Sequence, residues 1–196
     1  MGSNCSPLLA DLYLSWLEYE FMQKLIKSDF SLAKKLSFNA RYIDDIACIN
    51  ILNFIEIAKE IYPIEIPLNI NNSDCLHDAF LDLDIRVFDN KFVTKIYHKI
   101  DDFNFNVVNY PFPDSNISLQ VGYNTFTSQI IRFSRISTLF KDFAFRVKFT
   151  YNKLKVRGYD ETILSKHFYK FCCRHPDIVL KYGFSNFKFF LDSCLI

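Results

Sequence analysis

The stretch Ala40-Arg41-Tyr42-Ile43-Asp44-Asp45-Ile46-Ala47-Cys48-Ile49 decides how this chain is read. Two adjacent carboxylates interrupt an apolar, β-prone run. Side chains on one face of a strand recur at every second position. Tyr42 and Ile43 before the pair, and Ile46, Cys48 and Ile49 after it, therefore suit the two strands of a buried hairpin. Asp44 and Asp45 then fall at its turn. Two charges side by side on such a hairpin are costly unless something positive compensates them. A divalent cation does so most simply. Mg²⁺ takes a few carboxylate oxygens together with substrate phosphates, and a pair of such ions is an established clamp for phosphoryl transfer. Taken alone, the pair equally suits an ordinary solvated turn, because aspartate tolerates turn geometry.

About 35 residues upstream the chain opens Met1-Gly2-Ser3-Asn4-Cys5-Ser6-Pro7-Leu8-Leu9-Ala10-Asp11-Leu12. Ser6 is expected as an N-cap and Pro7 as the first helical residue, where its missing N–H is harmless. Leu8, Leu9, Leu12, Trp16, Tyr19 and Met22 or Gln23 follow at helical spacing. A glycine-containing loop thus leads into the N-terminus of a long amphipathic helix. Glycine lets backbone approach a ligand closely, and a helix N-terminus favours anionic groups.

Together, Gly2-x-x-x-Ser6-Pro7 and Tyr42-Ile43-Asp44-Asp45 resemble a reverse transcriptase in order and spacing. The first looks like the loop and helix under template and incoming nucleotide, the second like the YxDD metal-binding turn. Phe80-Leu81-Asp82-Leu83-Asp84-Ile85 and Lys91 to Tyr97 are similar to the hairpin that grips the primer end. Asn109 to Phe112 and Ser128 to Phe133 add a softer likeness to reverse transcriptases of eukaryotic retroelements, non-LTR or Penelope-like. The resemblance spans nearly the whole chain.

It implies RNA-templated DNA synthesis from a DNA primer and deoxynucleoside triphosphates, with Mg²⁺ or Mn²⁺ as cofactor. Asp44 would ligate the metal pair directly. Asp45 would be a weaker ligand or a neighbour of the ligands. Tyr42 would pack near the primer terminus, and Gly2, Ser6 and Pro7 would shape the floor under template and nucleotide. The departures matter as much. The family's first metal-binding carboxylate lies on a strand upstream of the Gly-x-x-x-Ser-Pro loop, and neither it nor the fingers region is in this sequence. Met1 stands where retroviral relatives carry glutamine. The loop Ile70-Asn71-Asn72-Ser73 lacks the lysine that such polymerases use to protonate pyrophosphate. The expected identity is a C-terminal half, part of the palm over 1–113 and a thumb-like helical region over 114–196, inactive by itself. A non-catalytic nucleic-acid-binding remnant and a helical protein-interaction module remain the alternatives.

The bulk numbers agree with an ordered protein. Of 196 residues, 50% are hydrophobic and 17% aromatic, enough for a core and far from a disordered composition. The net charge of +1 hides an asymmetry. Residues 1–113 hold 10 Lys and Arg against 16 Asp and Glu, a net of −6, while residues 114–196 hold 13 against 6, a net of +7. Arg132, Arg135, Arg146 and Lys148 lie among phenylalanines in that basic half and are the candidate contacts to a phosphate backbone. Six cysteines without framework spacing read as reduced intracellular thiols. No run is long and apolar enough for a membrane span. The spacing His167-x4-Cys172-Cys173-x-His175 matches no usual zinc pattern.

Periodicity predicts helices over 7–28, 52–61, 123–138, 142–157 and 161–174, with 30–36 a polar continuation of the first or a short helix and Gly158 a stop signal. It predicts the metal-turn hairpin over 39–51, an edge strand over 64–70, and a hairpin of 79–88 with 91–99 about Asp89-Asn90. Strands followed by helices imply an α+β fold.

Overall fold

The structure is a computed structural model that describes residues 5–70, 76–103 and 110–194. It is α+β, with small antiparallel sheets beside eight α-helices among the described residues. The chain forms two compact units, Met1–Ser73 and Asp74–Ile196.

In the first unit, α1 (Ser6–Ser28) and α2 (Phe30–Leu36) are joined at Asp29. The Asp29 N–H donates to the Leu25 carbonyl, closing α1, while its carboxylate accepts from the Leu32 N–H at 3.0 Å and caps α2. Ser6 is not the N-cap: Cys5 holds that position, and Ser6 and Pro7 lie in the first turn, where proline is tolerated. The hairpin of β1 (Ala40–Tyr42) and β2 (Asp45–Ala47) follows, then α3 (Phe54–Ile61). Ala33, Leu36, Ile57, Ala58 and Tyr62 are the buried hydrophobic residues of this unit among the described residues. The helix α1 packs on α2 and α3 yet buries no residue completely, and Leu8, Leu9, Leu12 and Trp16 are exposed.

The expected edge strand over 64–70 is absent. Pro63 and Pro67 remove two ladder donors, and the Ile66 N–H turns back to the Pro63 carbonyl at 2.9 Å. The stretch Asn71-Asn72-Ser73-Asp74, whose residue types predict a turn, lies outside the described residues.

The second unit begins with a meander of β3 (His77–Phe80), β4 (Leu83–Phe88) and β5 (Lys91–Ile96). Asp89 and Asn90 both take positive φ, 51° and 55°, the signature of the two-residue hairpin turn that matches strand twist. The run over 79–88 is not one strand. Leu81-Asp82 makes a second tight turn, with Leu81 at φ 54° and Phe80 paired to Leu83. A 3₁₀ turn over Lys99–Asp102 ends the sheet.

Five helices follow: α4 (Leu119–Ile136), α5 (Phe140–Val156), α6 (Glu161–Arg174), α7 (Pro176–Tyr182) and α8 (Phe184–Cys194). Each of the first three buries a stripe at helical spacing: Tyr123, Phe126, Ile130 and Phe133; Phe143, Val147, Tyr151 and Leu154; Leu164, Phe168 and Phe171. Phe140 is an aromatic hub, with ring centroids 5.3–6.2 Å from Phe143, Tyr182, Phe187 and Phe190. The pair α7 and α8 was not expected from periodicity, although Pro176 at its start and Gly183 (φ 89°) between the helices mark it. Lys181 Nζ and the Tyr182 hydroxyl donate to the Ser134 and Ser137 carbonyls, engaging the end of α4 that α-helix geometry leaves unpaired.

The sheet belongs with these helices. Thr138 N–H donates to the Thr94 carbonyl at 2.8 Å, and Thr94 N–H returns a bond to the Thr138 hydroxyl at 2.9 Å. Ile96 is buried in the helical core. A division at 113/114 would separate elements that pack together. Drawn at 73/74, the second unit has 17 Lys and Arg against 13 Asp and Glu, a net of +4.

Candidate functional site

The candidate site is the turn of the first hairpin. Ala40 pairs with Ala47, Arg41 with Ile46 and Tyr42 with Asp45, so Ile43 and Asp44 are the two turn residues and Asp45 opens the second strand. Ile43 has φ 53°. That region crowds Cβ against the following carbonyl and is a marked outlier for a β-branched side chain. Such a conformation costs about 1–3 kcal/mol and persists only where the surroundings impose it. Tyr42, Asp44 and Asp45 are all exposed.

What imposes the turn is Arg41. Its side chain is only 9% exposed and reaches across to α1. Nε donates to Glu18 at 2.6 Å, Nη1 to Asp11 at 2.8 Å and Nη2 to the Ser15 hydroxyl at 2.7 Å. Nη1 also donates to the Ile43 carbonyl at 3.2 Å, so the guanidinium bonded to α1 holds the turn as well. Asp11, Ser15 and Glu18 stand at i, i+4 and i+7, one face of the helix. Burial alone lowers the Arg41 pKa, but hydrogen bonds and charge from Glu18 and Asp11 outweigh it and leave the pKa raised. The Tyr62 hydroxyl adds a second bond to Glu18 at 2.5 Å; burial and that carboxylate both raise its pKa.

Asp11, which Arg41 bonds, lies one helical turn after Pro7 on α1. Gly2 lies outside the described residues. Sequence reasoning missed Arg41. Its signal was an arginine directly before Tyr42-Ile43-Asp44-Asp45, together with two acids and a serine on one stripe of α1. Among the described residues, no group of three or more His, Cys, Asp or Glu side chains could hold a metal ion.

The basic residues singled out from sequence divide by environment. Arg146 is only 13% exposed; it donates to the Ile96 carbonyl at 3.2 Å and pairs with Asp101 at 2.5 Å. Arg132 pairs with Asp82 at 2.5 Å. Arg135 and Lys148 are exposed. On the sheet, the buried Asp84 carboxylate meets His77, Arg86 and Lys95 at 3.1–3.3 Å. Burial pushes its pKa up, but hydrogen bonds and charge from Arg86 and Lys95 prevail and lower it.

No protein-family model, no curated protein and no solved structure matches this chain. Among the described residues, no helix is long and apolar enough to cross a membrane.

Proposed function

We propose that this chain is the palm and thumb portion of a reverse transcriptase from a eukaryotic retroelement, non-LTR or Penelope-like. The observation that carries the proposal is the strained turn. Tyr42-Ile43-Asp44-Asp45 sits on a two-residue hairpin turn with a β-branched residue at positive φ. A buried arginine fixes that turn to the helix that begins Ser6-Pro7. Strain of this kind is retained where a side chain must be held in one place. The side chain so placed is Asp44, with Asp45 beside it.

Asp44 and Asp45 offer the oxygen donors that Mg²⁺ or Mn²⁺ takes, but among the described residues no third ligand joins them. Among the described residues, these two do not complete a two-metal centre. In the intact enzyme, carboxylates from elsewhere would complete it, and the activity would be RNA-templated DNA synthesis. Acting alone, the chain would bind nucleic acid without extending a primer. Its contacts would come from the basic second unit, chiefly the exposed Arg135 and Lys148.

The test is primer extension on an RNA template with Mg²⁺ or Mn²⁺. The purified chain yields no product. Fused to the N-terminal half of a related polymerase it extends the primer, and Asp44→Ala abolishes extension while duplex binding is kept. Extension by the isolated chain that Asp44→Ala removes would overturn the incomplete-centre reading. A fusion that folds and binds duplex but extends nothing would overturn the polymerase reading.

A further inference from the structure

A cavity of about 150 Å³ lies within the second unit between α4, α5 and the end of β5. That is room for about five waters at ~30 Å³ each. It suits a tetrahedral oxyanion and is too small for a whole nucleotide. His98, Gln129, Arg146 and Lys153 line it, with Tyr110 and Phe149 as aromatic walls. Arg146, Phe149 and Lys153 share one face of α5 at i, i+3 and i+7.

Polar groups in a formed cleft normally find partners. Here, among the described residues, the side chains of His98, Gln129 and Lys153 make no hydrogen bond or ion pair. The Lys153 ammonium lies 4.6 Å from the centre of the Phe149 ring, a weaker form of compensation. Asp101 is already engaged by Arg146.

We propose that this cavity binds a phosphate group, with Lys153 and Arg146 supplying charge and Gln129 and His98 supplying N–H donors. Paired cations and N–H donors are the usual recognition set for such oxyanions. The rest of the ligand lies outside the cavity. The phosphate is either a free phosphate or phosphomonoester, or one diester of a nucleic-acid strand. The site does not depend on Asp44 and Asp45, so it stands or falls apart from the polymerase reading.

His98 supplies the readout. Burial lowers its pKa; Asp101 raises it, while Arg146, Arg132 and Lys153 lower it further. A bound anion offsets those cations and moves the titration midpoint of His98 upward.

The experiment follows the ring resonances of His77, His98, His167 and His175 in the full chain by NMR. The pH titration is run in chloride, in phosphate of equal ionic strength, and with a short single-stranded oligonucleotide. Phosphate or the oligonucleotide raises the midpoint of His98 and leaves the other three in place. A response to phosphate alone identifies a free phosphate or monoester; a response to the oligonucleotide alone identifies a strand diester. Lys153→Gln weakens binding about tenfold, the loss of one charged contact. Gln129→Glu, which sets a carboxylate in the cavity, abolishes it and serves if the first variant does not fold. An unchanged His98 midpoint in both ligands, a common shift of all four histidines, or a shift untouched by these variants overturns the proposal.

Discussion

Replacing Arg41 tests the device that joins hairpin and helix. Its guanidinium makes contacts of 2.6–3.4 Å with Glu18, Asp11, Ser15 and the Ile43 carbonyl. Breaking a fully buried pair costs about 3–5 kcal/mol, and an exposed pair contributes about 0–1 kcal/mol. This case is intermediate, because the cation is 9% exposed while Glu18 is 31% and Asp11 52% exposed. Arg41→Ala should therefore destabilise the first unit by about 2–3 kcal/mol. Arg41→Lys keeps the charge but not the planar fork, and should lose about 1–2 kcal/mol. Urea denaturation is the assay, followed by circular dichroism and by fluorescence of Trp16. That single tryptophan lies on α1 and reports this unit alone. With an m-value of about 1 kcal/mol per M, the Arg41→Ala midpoint falls by about 2–3 M. A double-mutant cycle should give a larger coupling of Arg41 to Glu18 than to the more exposed Asp11. An Arg41→Ala midpoint within about 0.5 M of wild type, or equal couplings to both acids, would refute this account of how the turn is held.

Gly122→Ala should destabilise the second unit by about 1–3 kcal/mol, despite alanine's better helix propensity. A Cβ there would lie 2.0 Å from the Tyr159 hydroxyl oxygen and 2.3 Å from its ring, and that ring is fixed edge-on to Tyr123; thermal denaturation checks it. Asp84 has a lowered pKa in the fold, so its contribution is complete above the unfolded aspartate pKa of about 3.9 and is lost as pH falls through the folded value. Asp84→Asn should cost about 1 kcal/mol at neutral pH, discounted for its exposed partners, and nothing in strong acid; a stability gap that survives acidification would contradict this. Binding of a labelled RNA–DNA duplex, read by fluorescence anisotropy, should weaken with salt by about 0.9 log units of affinity per log unit of salt for each phosphate contacted. Charge reversal at Arg135 or Lys148 should weaken binding to all sequences alike, whereas Arg146→Glu should unfold the unit first, since its guanidinium is tied to Asp101 and Ile96. Salt-insensitive binding would count against the electrostatic account.

The sequence alone determined what depends on near neighbours. The helix over 161–174 and the Asp89-Asn90 turn follow from local spacing and from residues tolerant of positive φ. The placement of Asp44 at a hairpin turn follows likewise from the apolar runs on either side of the pair. Tertiary structure decided what local pattern leaves open. Alternation over 64–70 looked like a strand, but a strand needs a partner, and prolines with a local turn removed its donors. The sheet joined the helices because Thr94 and Ile96 found their partners at Thr138 and Arg146, beyond α4 and over forty residues away in sequence. Arg146 reads as a candidate phosphate contact, and the fold also makes it an internal tether, because an aspartate and a carbonyl lie within its reach. Arg41 drew no attention in the sequence because its value lies in three side chains 23 to 30 residues upstream, which only the folded helix aligns on one face.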